Sequence, residues 1–179
     1  MAALIDASGQ ADSPYEVVCV LSNDPEAGGL AIARAKGVQT VSAIDHRPFG
    51  KDRVAHEAAL QAVLHTADVE VIALAGYMRL LTPFLVTRWE GRMLNIHPSL
   101  LPKYPGLDTH ARAIEAGDAE AGCTVHIVTQ GVDEGPVLDQ ARVPVLADDT
   151  PGSLAQRVLA AEHELYPRAL TAFCRAHQG

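Results

Sequence analysis

Apolar positions along the 179-residue chain fall into two periods, and each period marks its own kind of element. Short runs rich in β-branched and aliphatic residues read as buried strands at 16–21 (EVVCVL), 38–41, 69–75 (VEVIALA), 93–96, 124–128 and 137–145. Between them the spacing turns helical. Residues 25–36 are Ala-rich and closed by Gly37. Residues 52–66 carry Val54, Ala58, Leu60, Val63 and Leu64 on one face, and 83–89 opens with a proline. Residues 109–115 predict a further helix, and 149–174 a closing one with Pro151 in its first turn. The start, 1–7 (MAALIDA), reads as a helix body without its beginning, and 8–14 as a polar loop. Strands alternating with helices predict one α/β domain with a doubly wound, Rossmann-like, mainly parallel sheet. Ligands in such sheets sit at the carboxyl ends of the strands, where Asn95, His97 and the turn at 76–78 fall.

Asn95 and His97 are two apart on one strand, so they point to the same side. An amide N–H there can donate to a developing oxyanion, and an imidazole can move a proton near neutral pH. The turn at 133–135 (DEG) can return a carboxylate, Asp133, toward that histidine. The triple points to acyl-type transfer without a protein nucleophile.

Composition narrows the class. A formal charge of −8 argues against a nucleic-acid surface, which needs clustered Lys and Arg. No apolar run approaches the roughly 20 residues of a membrane span. No charged-then-apolar leader is visible. The three cysteines, Cys19, Cys123 and Cys174, are scattered, which fits reduced cytoplasmic thiols better than a disulfide or a metal site. No metal is expected.

The residues around the triple say more. The stretches 95–106 (NIHPSLLPKYPG), 109–110, 117–118, 122–126 (GCTVH) and 133–136 (DEGP) resemble the phosphoribosylglycinamide formyltransferases of purine biosynthesis. The resemblance continues in 75–81 (AGYMRLL) and 162–167 (EHELYP) and covers nearly the whole chain. Methionyl-tRNA formyltransferases and formyltetrahydrofolate hydrolases share the Asn-x-His…Asp core. The 103–106 continuation (KYPG) looks like the glycinamide enzyme.

The resemblance implies a formyltransferase fold and transfer of the formyl group of 10-formyltetrahydrofolate, a cosubstrate, to the amine of 5-phosphoribosylglycinamide. It makes His97 the proton-exchanging group, Asn95 the holder of the formyl oxygen and Asp133 the partner carboxylate. The folate-binding segments match Met78, Arg79, Leu80 and Leu81, with Thr129, Gln130, Gly131 and Val132 beside Asn95 and Asp133. Core packing is the alternative for Met78 and Leu81. Arg53 matches a folate-side arginine and Glu162 a contact to the ribose hydroxyls; each is otherwise a solvated helix residue. His126 either faces the site or packs beneath it. Glu134 stands where many members have Gly, and Leu101-Pro102 is expected to be cis. The partners implied are small molecules, with no nucleic acid or membrane, in a monomer or homodimer.

The sequence departs from the family at its start. Relatives open with a strand and a Gly/Ser-rich phosphate loop, and neither precedes Met1 here. The first strand is central in doubly wound sheets, so unpaired edges and a lost phosphate cradle are expected, with a shortened sequence as the reading. A hydrolase that uses water as acceptor and a non-catalytic folate-binding remnant stand as alternatives.

Overall fold

A computed structural model describes residues 1–177 of the chain. In order, the elements are α1 (Ala2–Ser8), β1 (Cys19–Ser22), α2 (Gly28–Ala35), β2 (Thr40–Ala43), α3 (Arg53–Thr66), β3 (Ile72–Leu74) and α4 (Pro83–Arg88). They continue as β4 (Met93–His97), α5 (Thr109–Glu115), β5 (Glu120–Ile127), β6 (Val137–Pro144) and α6 (Pro151–His177). A single 3-10 turn at Arg47–Phe49, which carries no apolar period, was not legible in the sequence.

Local chemistry sets the helix starts. Asp52 caps α3 by accepting from the Ala55 N–H at 2.9 Å. Thr82 caps α4 by accepting from the Phe84 N–H, and Pro83 fills the first turn. On the inner face of α6, Leu154, Val158, Leu165, Leu170 and Phe173 pack against Leu94 of β4 and against Cys123 and Val125 of β5. A second cluster joins Leu64, Leu85, Trp89 and Met93 on the other side. These two clusters hold β4 between helices, which explains why Met93 and Leu94 are almost fully buried.

The α/β architecture agrees with the sequence, but the strand directions differ in part. β1 pairs with β2 and β3 with β4 in parallel, as expected. β5 runs antiparallel to β4, and β6 antiparallel to β5. The short 128–136 connection explains the second reversal, because adjacent antiparallel strands need no crossover helix. Strand β5 also begins at Glu120, earlier than its apolar run predicts, since pairing with β6 carries the ladder through Glu120, Ala121, Gly122 and Cys123.

The sheet is in two parts, β1-β2 and β3-β4-β5-β6. Among the described residues β1 has a ladder only with β2, and on its outer side β3 has none. Both edges face a cleft of about 840 Å³ whose walls include Val18, Val20, Val71, Ala73, Leu4 and Phe173. This matches the expectation of unpaired edges, and it is why β1 and β3 are only half-buried and shorter than their apolar runs. No described helix is long and apolar enough to cross a membrane. The Cys123 and Cys174 thiols are free and buried, and Cys19 is free and half-buried.

One side chain ties the site-bearing strands to α6. The buried Tyr166 hydroxyl lies 3.0 Å from the Leu74 carbonyl oxygen and 3.2 Å from that of Leu94, and donates between them. Tyr166→Phe keeps the ring and removes this donor, so unfolding stability is expected to fall by about 1–2 kcal/mol in urea titrations. An unchanged midpoint would show that the hydroxyl contributes nothing.

Candidate active site

Strand β4 delivers Asn95 and His97 on one side, and the register with β5 sets their neighbours. Asn95 stands opposite His126 and His97 opposite Thr124. A bulge at Val125/His126 shifts the β5–β6 register beside the site. The Asn95 amide nitrogen lies 3.3 Å from His126 Nε2. His126 Nδ1 donates to the Ile127 carbonyl at 3.0 Å, so in the neutral ring Nε2 is free to accept from Asn95. Burial pushes the His126 pKa down; its Ile127 hydrogen bond and the Asp133 charge oppose this, while the His97 charge adds to it. His126 therefore faces the site and orients the Asn95 amide, leaving the second amide hydrogen for a ligand.

Asp133 closes the group from the loop between β5 and β6. Its backbone is left-handed, with φ 56°, a conformation Asp tolerates. Gly135 follows because an added Cβ would collide with the Ile127 carbonyl oxygen. Asp133 Oδ2 accepts from the Gly106 N–H at 2.9 Å and lies 3.2 Å from His97 Nδ1. Its Oδ1 stands 3.6 Å from His126 Nε2. On the far side of the ring, His97 Nε2 is 2.9 Å from the Tyr104 carbonyl oxygen. Both nitrogens of His97 thus face acceptors.

A second layer fixes these groups. Buried Thr124 donates to the Ser99 carbonyl and accepts from the Leu101 N–H and the Gln140 amide. Gln140 also donates to the Leu101 carbonyl. Together they hold the 97–102 turn, in which Leu101-Pro102 is cis as expected. Asp118 accepts from Lys103 and from the Tyr104 hydroxyl, which anchors the 103–106 loop over His97. His110 is half-buried; burial and the nearby His97 charge lower its pKa, and its Nε2 has no partner. Sequence reasoning assigned no role to Thr124, Gln140 or His110. Period two was the available signal for Thr124, which shares a strand face with His126.

Other expected site residues lie at the same strand ends. Met78, Leu80 and Val132 are 75%, 61% and 51% exposed, unusual for apolar side chains beside a polar cluster. Core packing therefore does not account for Met78. Leu81 is different, since it packs against the second core cluster. Arg53, on the exposed face of α3, donates to the Leu80 carbonyl at 3.2 Å. Thr129 and Gln130 are exposed, Gly131 is half-buried, and Arg79 sits beside Tyr77. Half-buried Glu162 lies on α6 near the Met1 amino group; burial raises its pKa and the amino charge opposes this. Glu134 is exposed. Among the described residues no His, Cys, Asp and Glu side chains cluster to hold a metal ion.

A polar site of Asn, His and Asp at the strand ends of an α/β sheet is the architecture of a group-transfer enzyme. Residues 1–170 match the formyl transferase family, and the chain belongs to it. It is 44% identical over 175 residues to the phosphoribosylglycinamide formyltransferase of Escherichia coli (strain K12), covering 96% of this chain and 80% of that protein. It is 48% identical over 170 residues to the trifunctional purine biosynthetic protein adenosine-3 of Drosophila melanogaster. That match covers 94% of this chain but only 12% of the relative's length. The crystal structure of phosphoribosylglycinamide formyltransferase from Brucella melitensis superposes with a TM-score of 0.91 at 53% identity, covering 97% of this chain and 88% of that one.

The lowered His126 and His110 pKa values make stability depend on pH. Unfolding restores the ordinary value of 6.5, so below it the unfolded chain binds more protons than the folded one. Stability from these neutral rings is present above 6.5 and declines as pH falls through it toward the folded values. Urea midpoints measured from pH 8 to pH 5 should drop on the acid side, and His126→Asn should make that drop shallower. An equally steep drop in the variant would remove His126 from this account.

Proposed function

We propose that this chain moves the formyl group of 10-formyltetrahydrofolate to the amine of 5-phosphoribosylglycinamide. The observation that carries the reading is that Asp133 faces both His97 and His126, with the Asn95 amide joined to the same group through His126. The substrate amine attacks the formyl carbon, forming a C–N bond and turning the formyl oxygen into an oxyanion. The free Asn95 N–H and the positive His97 ring stabilise that oxygen. The bond from the formyl carbon to the folate N10 then breaks. The proton lost by the amine reaches N10 through His97 or through a water ordered by Asp133.

The exposed apolar side chains of Met78, Leu80 and Val132 support a folate face here, with backbone groups of 78–81 and 129–132 available to the pterin edge. Arg53 and Arg79 supply positive charge for the anionic tail of the folate. Glu162 is assigned to the ribose hydroxyls of the nucleotide on its match to the family. All of these ligands are small molecules, and the protein is assigned to the cytoplasm.

Spectrophotometric formyl transfer to phosphoribosylglycinamide tests the proposal. The chain should turn over, and His97→Ala, Asn95→Ala and Asp133→Asn should each lower kcat by about 10²–10⁴. Variants as active as the parent would remove the triple from the mechanism. Formate release indifferent to added glycinamide nucleotide would instead assign a hydrolase.

A further inference from the structure

Glu57 is a carboxylate in the wrong place for a simple surface residue. It lies on α3, is 2% exposed, and makes no ion pair among the described residues. Burial of an unpaired charge is unfavourable unless strong donors meet it. Both donors come from one residue. The Thr82 N–H donates to Glu57 Oε1 at 2.7 Å and the Thr82 hydroxyl to Oε2 at 2.5 Å. Thr82 ends the irregular segment 75–81, whose other end is strand β3. One turn earlier on the same helix, Arg53 donates to the Leu80 carbonyl. Residues 53 and 57 are therefore stacked at i and i+4 along α3, gripping consecutive parts of this segment. Glu57 is also close enough to Tyr77 for its charge to act on that phenol.

We propose that Glu57 is a positioning residue for the formyl donor, a latch that presets the 75–81 segment before the folate arrives. The proposal rests on the formyl-transfer reading above. Leu81 packs against the second core cluster, but the exposed Met78 and Leu80 gain little from packing, so the course of that part of the segment depends on these polar anchors. Ordering it in advance removes an entropic cost from donor binding and leaves the reacting groups on β4 untouched.

Glu57→Gln keeps the side-chain shape but replaces one acceptor with an N–H aimed at the Thr82 hydroxyl. The KM for 10-formyltetrahydrofolate should rise about tenfold with kcat within about twofold, the effect of losing one charge-assisted hydrogen bond from binding alone. Amide exchange over 76–82 should accelerate by a similar factor, while amides of β4 keep their rates. Thr82→Val should reproduce both effects and also loosen the first turn of α4, which loses its cap, whereas Thr82→Ser, which keeps the hydroxyl, should leave KM and exchange at the parent values. Unchanged exchange over 76–82 would overturn the latch. So would acceleration spread evenly over α3, α4 and β4 with kcat and KM both impaired, since that marks a residue serving only the fold. If the parent chain transfers no formyl group, the function reading falls alone. The exchange pattern, with equilibrium binding of tetrahydrofolate to parent and variant, then still decides the latch.

Discussion

The site depends on one half-buried carboxylate and on what faces it. Asp133 meets His97 through one oxygen and His126 through the other, and the Gly106 N–H helps to hold it. A carboxylate between two imidazoles divides their roles. His97 has acceptors at both ring nitrogens. The ring that donates to Ile127 is kept neutral by burial and accepts from Asn95. The two rings differ in their other partners as well: His97 Nε2 faces the Tyr104 carbonyl, and His126 Nδ1 faces that of Ile127.

Several features of the fold follow from the need to put that carboxylate in place. The antiparallel pairing of β5 and β6 makes the 128–136 connection a short return that carries Asp133 back over β4. A left-handed residue at 133 and a glycine at 135 let the return be tight. Thr124 and Gln140, from the same two strands, fix the 97–102 turn. Tyr166 ties the ends of β3 and β4 to the long closing helix. The antiparallel half of the sheet thus brings Asp133 to the histidines, and the parallel half supplies the apolar segment after β3.

That apolar segment answers a different demand. An oxyanion needs rigid donors in a site shielded from water, whereas a flat heterocycle needs accessible apolar surface. Met78 and Leu80 remain exposed while backbone anchors from α3 restrain the chain that carries them. On the proposed reading the two requirements fall to neighbouring strand ends and do not compete for the same residues.

The sequence alone determined a good part of this. Apolar periodicity located most helices and strands, because burial of one face is a local property that each segment carries in its own spacing. Two-residue spacing put Asn95 and His97 on one side, and the motif around them marked the chemistry. Periodicity states which face is buried but not which strand lies beside it or in what direction. The antiparallel course of β5 and β6 was therefore not legible, nor was the inward position of His126. The Glu57–Thr82 contact joins residues 25 apart on different elements, and nothing local to either one announces it. Such pairings form only when packing brings distant segments together, which is why tertiary structure decided them.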